Sequence, residues 1–433
     1  MNVKNALTIA VAGAGGREHA IIKKLLQCKR AGAIYALPGN AGIERDVPCI
    51  TIKPVHIAEF TRWCVSHSVD YVVVTPDDPL ALGLVDALAA ENIPAFGPTQ
   101  AAAKIESSKA YAKELMRQNN IPTASYQVFT DSARAIEYAK TAAYPLVVKA
   151  DGLALGKGVS TCGTFEKAQM AICAALEEEC FGKSGKTLVI EEFLAGPEVS
   201  VLSFCDGRTL VPMVSSMDHK RALDGNRGEN TGGMGAIAPN PFYTPEIAAL
   251  CMERIYMPTV SMLEAAGTPF KGCLYFGLML TADGPKVIEY NCRFGDPETQ
   301  AVLPLLESDL LEIMLACTEG RLTQDMVRFS GKAAACVVLA SGGYPQNYQT
   351  GCPIDGDSEA EKALAAAGGA AYYAGVEQNG GLGKLRTAGG RVLGVGACAD
   401  TLREALSACY HAAGKIHWQN MHYRRDIGLS AME

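Results

Sequence analysis

No C-x-x-C pair occurs among the fifteen cysteines of this 433-residue chain, and their odd number follows no spacing pattern. That excludes a zinc ribbon and a disulfide framework, and leaves buried thiols in a reducing cytoplasm as the expectation. No uninterrupted apolar run reaches the roughly 18 to 20 residues of a membrane-spanning helix. Basic residues are not in excess: 39 Lys and Arg stand against 46 Asp and Glu, a formal net charge of -7. This excludes a general nucleic-acid or membrane-surface binder and points to small-molecule partners. The apolar run with a small-residue AGA in residues 1–14 imitates a secretory signal, but it feeds straight into GGREHA, where a strand, a glycine turn and a helix account for it better. A third glycine is missing as well. The dinucleotide fingerprint would place it where Glu18 stands, and the next apolar run ends in PGNAG without an acidic residue for a ribose, so no nicotinamide cofactor is expected.

What is present suits several α/β domains of roughly 100 to 150 residues each. Residues 7–12 read as a buried strand, 13–16 as a tight turn and 17–28 as an amphipathic helix, the opening of a doubly wound parallel sheet. Gly15 and Gly16 at the helix N-terminus, with a second glycine turn at Asn40, are suited to bind an anion such as a phosphate monoester. A strand at 71–74, a turn TPDDPLALG, a helix at 80–91 and a strand at 93–96 continue the sheet. A helix at 104–118, stopped by Pro122, puts a boundary near 100–122. The strand at 144–150 carries Lys149 and runs into DGLALGKGV, whose glycines, Gly156 and Gly158 among them, and Lys157 suit a loop that closes over a polyphosphate. A helix at 165–179 and strands at 187–193 and 198–205 follow. Residues 218–236 show neither the helical nor the strand period, and so long a loop holding Asp218, His219, Lys220 and Arg221 reads as functional. A helix at 245–266 and a strand at 272–280 come next. Beyond residue 332 lie strands at 333–340 and 392–397 and a helix at 401–416, with Gly389-Gly390-Arg391 facing the site.

The richest stretch is KVIEYNCRFGDPETQ, residues 286–300. Read as a strand over 286–293, it puts Glu289, Asn291 and Arg293 on one face and Ile288, Tyr290 and Cys292 on the other. A carboxylate and an amide oxygen two residues apart suit Mg²⁺, a hard cation that completes its octahedron with phosphate oxygens and water. Arginine one step further offers its planar fork to the same phosphates.

GGREHA, PGNAG, FGPT, SKAYAK, KADGLALGKGV, IEEFLAGPEVS, DHKR, NTGGMGA, VIEYNCRFGDPETQ and GGRVL, in this order over essentially the whole chain, closely resemble the glycinamide ribonucleotide synthetase (phosphoribosylamine–glycine ligase) family of the ATP-grasp superfamily. The resemblance implies a multidomain α/β protein. It has an N-domain with a doubly wound parallel sheet over 1–103, an ATP-grasp core over 104–122 plus 195–330, a small mobile lid domain over 123–194, and a β-rich α/β C-domain over 331–433. It implies ATP-dependent ligation of glycine to 5-phosphoribosylamine in purine biosynthesis, with glycyl phosphate as intermediate. ATP and Mg²⁺ or Mn²⁺ are the implied cofactors, with a cytoplasmic monomer or dimer and no nucleic-acid or membrane partner. By analogy Lys109 and Lys149 reach the ATP phosphates, the loop with Gly156, Lys157 and Gly158 closes over them, Glu191, Glu192, Phe193 and Leu194 hold the adenine edge, and Glu198 takes the ribose. Glu289 and Asn291 become the metal ligands and Arg293 a catalytic cation. Asp218 or Asp296 would hold the glycine amino group, while Gly15, Gly16, Asn40, Lys220 and Arg221 face the phosphoribosyl group. One departure stands out: Thr75-Pro76-Asp77 replaces the family's Gly-Pro-Glu, which puts contacts from this turn in doubt. A carboxylase-like ligase would share the nucleotide residues but lack DHKR with NTGGMGA, and a regulator that only binds ATP would lack the complete Glu289, Asn291, Arg293 set.

Overall fold

Strand Leu7–Gly13 is buried at six of its seven positions, as a parallel strand covered on both faces must be. In a computed structural model that describes residues 6–154, 158–380 and 384–432, this strand lies inside a four-stranded sheet. The order is Ala31–Pro38, Leu7–Gly13, Tyr71–Val74, Ala95–Phe96, and every pairing is parallel. The chain winds first to one side of its opening strand and then to the other. The crevice of such a sheet opens where the winding reverses, at the carboxyl ends of the first and third strands. Here that is Gly13 to Gly16 beside Thr75 to Asp77.

Residues 126–192 form a second unit with its own small core. Its antiparallel sheet, ordered Tyr126–Phe129, Leu188–Glu192, Leu146–Ala150, Val159–Cys162, packs one face against helices Ser132–Thr141 and Phe165–Leu176 through Val148, Ile190, Ile172 and five buried alanines. The third sheet, Leu210–Pro212, Glu198–Asp206, Lys271–Thr281, Gly284–Asn291, is antiparallel. Helix Leu310–Glu319, buried at seven of its ten positions, ties it to the N-terminal sheet: Tyr71 donates its hydroxyl to the Met314 carbonyl at 2.8 Å. Each large apolar side chain so buried contributes about 1.5 to 3 kcal/mol, which fixes the crevice relative to the third sheet. Phe96 packs against Phe294 at 5.8 Å across the same junction.

Segment 218–236 is not a featureless loop. It contributes the hairpin Arg221–Leu223 with Arg227–Asn230, and the strands Met217–Asp218 and Gly235–Ala238 join Ala333–Ala340, Arg391–Ala399 and Ala370–Tyr373 in a five-stranded antiparallel sheet. Strand pairing therefore crosses residue 330. Strands of two to four residues are too short to show a period-2 signal, and the register of Gly235–Ala238 is also set by partners a hundred residues away.

Three helices also differ from the sequence reading. The helix expected at 104–118 is two, Gln100–Ser107 and Lys109–Gln118, broken at Ser108, whose extended backbone and hydroxyl cap the second by accepting from Tyr111 N–H at 3.2 Å. The turn after Thr75 contains helix Asp77–Ala81. In the helix expected at 245–266, a π-helical turn at Met252–Tyr256 lies between Pro245–Cys251 and Met257–Ala265. Pro258 cannot donate to the ladder there, and the spacing widens one turn before it.

Candidate active site

The hairpin of Lys271–Thr281 and Gly284–Asn291 is not regular. Gly277 pairs with Glu289 and Leu278 with Val287, so Ile288 is a bulge. The bulge breaks the alternation read from sequence: Val287, not Ile288, shares the core with Tyr290 and Cys292. It also leaves the Ile288 carbonyl outside the ladder, where Lys149 Nζ donates to it at 3.2 Å. Bulges re-aim side chains in this way beside functional sites. Lys149 also pairs with Glu191 Oε2 at 2.9 Å, and Lys113, the last residue of SKAYAK and given no role from sequence, pairs with the same oxygen at 3.2 Å.

Glu289 faces a ring of cations. Burial opposes its ionisation, but Lys220, Lys149, Lys109 and Arg293 outweigh burial and hold its pKa below the usual range. None of them approaches within the 4.0 Å of an ion pair, and among the described residues Glu289 and Asn291 have no side-chain hydrogen bond or ion pair. Among those residues no three His, Cys, Asp or Glu side chains converge on a metal site. A two-ligand donor set, one ionised carboxylate and one amide oxygen left unpaired, fits a Mg²⁺ ion whose remaining ligands are phosphate and water. Lys109 begins the second of the two broken helices, donates to Gly152 O at 3.1 Å, and is pushed down in pKa by burial. Gly158 accepts from Ala150 N–H at 2.8 Å and closes the base of the glycine loop; Gly156 and Lys157 lie outside the described residues.

Arg293 lies past the strand end and is not in line with Glu289 and Asn291. Its Nη2 pairs with Glu106 Oε1 at 3.1 Å, while Glu106 Oε2 accepts Cys292 N–H at 2.6 Å. Glu106 was missed by sequence reasoning because it lies in a different helix nearly two hundred residues away. Asp296 is not free for an amine. Arg391 Nη2 pairs with it at 2.9 Å and Gln300 donates to it at 2.6 Å; burial is outweighed by Arg391, Arg17 and Gln300, and its pKa is lowered. Asp218 behaves differently. Its Oδ1 is buried without a hydrogen-bond partner among the described residues, and burial, reinforced by Glu298, pushes its pKa well up. Gly233, at φ +110, passes so close that a Cβ would crowd Asp218 and overlap the Pro297 ring, so the glycines of NTGGMGA let backbone approach this carboxylate. Glu298 itself accepts from the Tyr275 hydroxyl at 2.7 Å.

Lys220 reaches Glu198 at 2.9 Å, and this pairing raises its pKa. The lysine therefore faces Glu289 and Glu198, the side assigned from sequence to nucleotide, and not the N-terminal crevice. Arg221 bonds the Gly228 carbonyl at 2.9 Å within its own hairpin. Asn40 is committed too: its amide donates to Ala14 O at 2.8 Å and Tyr373 O at 3.1 Å, and its oxygen accepts from Gly42 and Ile43 N–H at 2.8 and 2.9 Å. Any ligand it serves must use its backbone. At the adenine segment, the Glu191 side chain is buried against the two lysines, Glu192 accepts Ser125 N–H at 2.9 Å, Phe193 is exposed and Leu194 is half-buried.

Glu18 explains the missing third glycine. Its carboxylate accepts Gly15 N–H at 2.5 Å, Arg17 Nε at 2.6 Å and the Thr75 hydroxyl at 2.6 Å, and its methylene lies over Gly13. The space a dinucleotide pyrophosphate would take is filled, and the Gly15 donor is occupied. Arg17 continues across to Phe294 O at 3.1 Å, and Gly16 faces the Gln300 amide, so the crevice opens directly onto the GDPETQ turn.

Two four-stranded antiparallel sheets, with Lys149 of the first facing Glu289 of the second, are the ATP-grasp class of fold. The biotin carboxylase domain of Hydrogenobacter thermophilus 2-oxoglutarate carboxylase shares it with TM-score 0.72 at 14% identity, over 97% of this chain and 92% of that one. The match to phosphoribosylglycinamide synthetase is more particular: its N domain matches residues 7–106, its ATP-grasp (A) domain 107–299 and its C domain 334–430. Phosphoribosylamine–glycine ligases of Vibrio vulnificus and Allochromatium vinosum are 43% and 44% identical over 98% of this chain and 99% of theirs. The crystal structure of that ligase from Thermotoga maritima superposes with TM-score 0.84 at 32% identity, over 97% of this chain and all of the other. The chain belongs to the phosphoribosylglycinamide synthetase family, and it is an ATP-dependent ligase of purine biosynthesis.

Proposed function

We propose that the chain joins glycine to 5-phosphoribosylamine through glycyl phosphate, with the residues above in the following roles. Carboxylates do not acylate amines in water; moving the γ-phosphoryl group of ATP onto the glycine carboxylate supplies a good leaving group, which the ribosylamine nitrogen then displaces. Donor and acceptor are both anionic, so the protein's work is to position them and offset their charge. The observation that carries this reading is the ionised Glu289 inside a ring of four cations with none in contact. Lys109 and Lys149 serve the phosphates, and Glu289 with Asn291 would hold Mg²⁺ or Mn²⁺. A metal ion there, when bound, supplies charge neutralisation of the polyphosphate. Arg293 serves the transferring group.

Asp218 is the partner for the glycine ammonium: an incoming cation would satisfy its orphaned oxygen, whereas Asp296 already has Arg391. Asp296 instead holds Arg391 over the junction between the two substrates. The residues Glu191 to Leu194 border the adenine and Glu198 the ribose. The phosphoribosyl group lies in the crevice at Gly15, Gly16 and the backbone of Asn40, beside Arg17. Residues 123–194 act as the lid that keeps water from the acyl phosphate, over a core of 104–122 and 195–330, with 1–103 and 331–433 as flanking domains. The reading is of a cytoplasmic enzyme that acts as a monomer on small-molecule substrates. The test is ADP release that requires both glycine and freshly formed phosphoribosylamine, with labelled glycine appearing in the product; release that responds to bicarbonate instead would replace this reading with a carboxylase.

A further inference from the structure

The roles above leave the buried cation Lys113 unused. Lys113 is 2 % exposed, on helix Lys109–Gln118, and its Nζ lies 3.2 Å from Glu191 Oε2 and 2.7 Å from Thr123 Oγ1. Thr123 Oγ1 in turn donates to Val287 O at 2.6 Å, so the group is anchored beside the bulge that Lys149 grips. Glu191, 4 % exposed, thus stands between two ammonium groups. A buried carboxylate paired with one lysine cancels that lysine's charge; with two, one positive charge is left over.

We propose that Lys113 is a positioning residue, the resident counter-ion of Glu191, which leaves the charge of Lys149 available to the nucleotide phosphates. This rests on the assignment of Lys149 to those phosphates. Lys113 is faced by Glu191 and Glu192 of strand Leu188–Glu192, Lys149 of strand Leu146–Ala150 and the Tyr126 ring. Burial, with Lys149 adding to it, outweighs the two glutamates and brings the Lys113 pKa down to about 8. Its charge, and with it the surplus at Lys149, is therefore lost as pH rises through that value.

The test is calorimetric binding of ADP at fixed Mg²⁺ to the full chain. At pH 7, Lys113→Met should weaken ADP at least tenfold. The double variant Lys113→Met with Glu191→Gln, which removes the carboxylate along with its counter-ion, should bind ADP at least threefold more tightly than Lys113→Met alone. Lys113→Arg should keep parental affinity at pH 7 and show a smaller loss between pH 7 and 9. Parental affinity in Lys113→Met, or a double variant no better than that single one, overturns the proposal. Should Lys113→Met not fold, an arginine variant whose pH dependence matches the parent's overturns it equally. Lys149→Met is the control: unchanged ADP affinity there would remove the nucleotide assignment itself, whereas a loss there with Lys113→Met unaffected sinks only the role of Lys113.

Discussion

Glu106→Gln separates a residue that aims a catalytic cation from one that merely holds the fold together. In the structure Glu106 accepts Cys292 N–H at 2.6 Å and pairs with Arg293 at 3.1 Å. Burial outweighs Arg293 and raises the Glu106 pKa, so the ionised carboxylate is a net cost to the folded state. Glutamine keeps the shape, and its amide oxygen still accepts from Cys292, so stability should change by only about 1 kcal/mol in either direction. What is lost is the charge-assisted bond that fixes the guanidinium, roughly twice as strong as a neutral one. With Arg293 free to swing, kcat should fall by about 10 to 100-fold, equivalent to about 1.4 to 2.7 kcal/mol of transition-state stabilisation, while the KM for ATP stays within about threefold. Steady-state kinetics beside urea unfolding decide it. A parental kcat, or a kcat loss accompanied by a stability loss of similar size, would refute the positioning argument.

Glu289→Gln should lower turnover more than tenfold and raise the Mg²⁺ concentration needed for half-maximal rate, since an amide brings no charge to the metal; metal titrations matching the parent would exclude Glu289 as a ligand. Arg293→Lys should lose kcat more than nucleotide affinity, a point charge replacing a fork, and equal losses in both would count against a transition-state role. Acid should loosen the junction between the first helix and strand Ala370–Tyr373. Burial works against the Asp46 carboxylate, but bonds from His19 and Lys23 bring its pKa down to about 2. A carboxyl so depressed stabilises the fold above the unfolded value near 4 and loses that contribution as pH falls toward 2, here roughly 1 to 2 kcal/mol after solvent screening. Burial likewise holds His19 neutral, with Nδ1 accepting Tyr373 N–H at 2.9 Å, so its contribution too is present above pH about 6.5 and fades below it. Asp46→Asn should flatten the stability curve measured by urea between pH 4 and 2.

The legible part of the site was the part written in short range. Glu289 and Asn291 two apart on a strand, and Lys149 before a glycine loop, stand out as candidates because spacing and direction are set by the strand itself. The bulge at Ile288 was not legible: an extra residue in a ladder is defined by the partner strand, and nothing in VIEYN marks it. Ser108 is an intermediate case, since a serine at an N-cap is a readable signal, yet the apolar period ran on across it. The roles of Glu106 and Lys113, and the partner of Arg391, which the sequence does turn toward the site, were out of reach for a different reason. Each acquires a role only through a partner far along the chain, Arg293, Glu191 and Asp296 respectively.

Thr75 shows how a departure from pattern becomes intelligible only with its neighbour. Read alone, a threonine where the family has glycine adds bulk at the mouth of a substrate crevice. In place, it is fully buried and its hydroxyl lies within hydrogen-bonding distance of Ala12 O at 2.8 Å and Glu18 Oε1 at 2.6 Å, so its polar atom is satisfied and its bulk lies beneath the crevice floor. The same carboxylate binds Gly15 N–H and Arg17. Thr75 therefore helps to fix the anion that orients Arg17, and Asp77 two residues on is near enough to raise the pKa of Arg293. On the roles proposed above, the turn that sequence comparison placed in doubt would bear on both halves of the reaction, the phosphoribosyl group through Glu18 and phosphoryl transfer through Arg293.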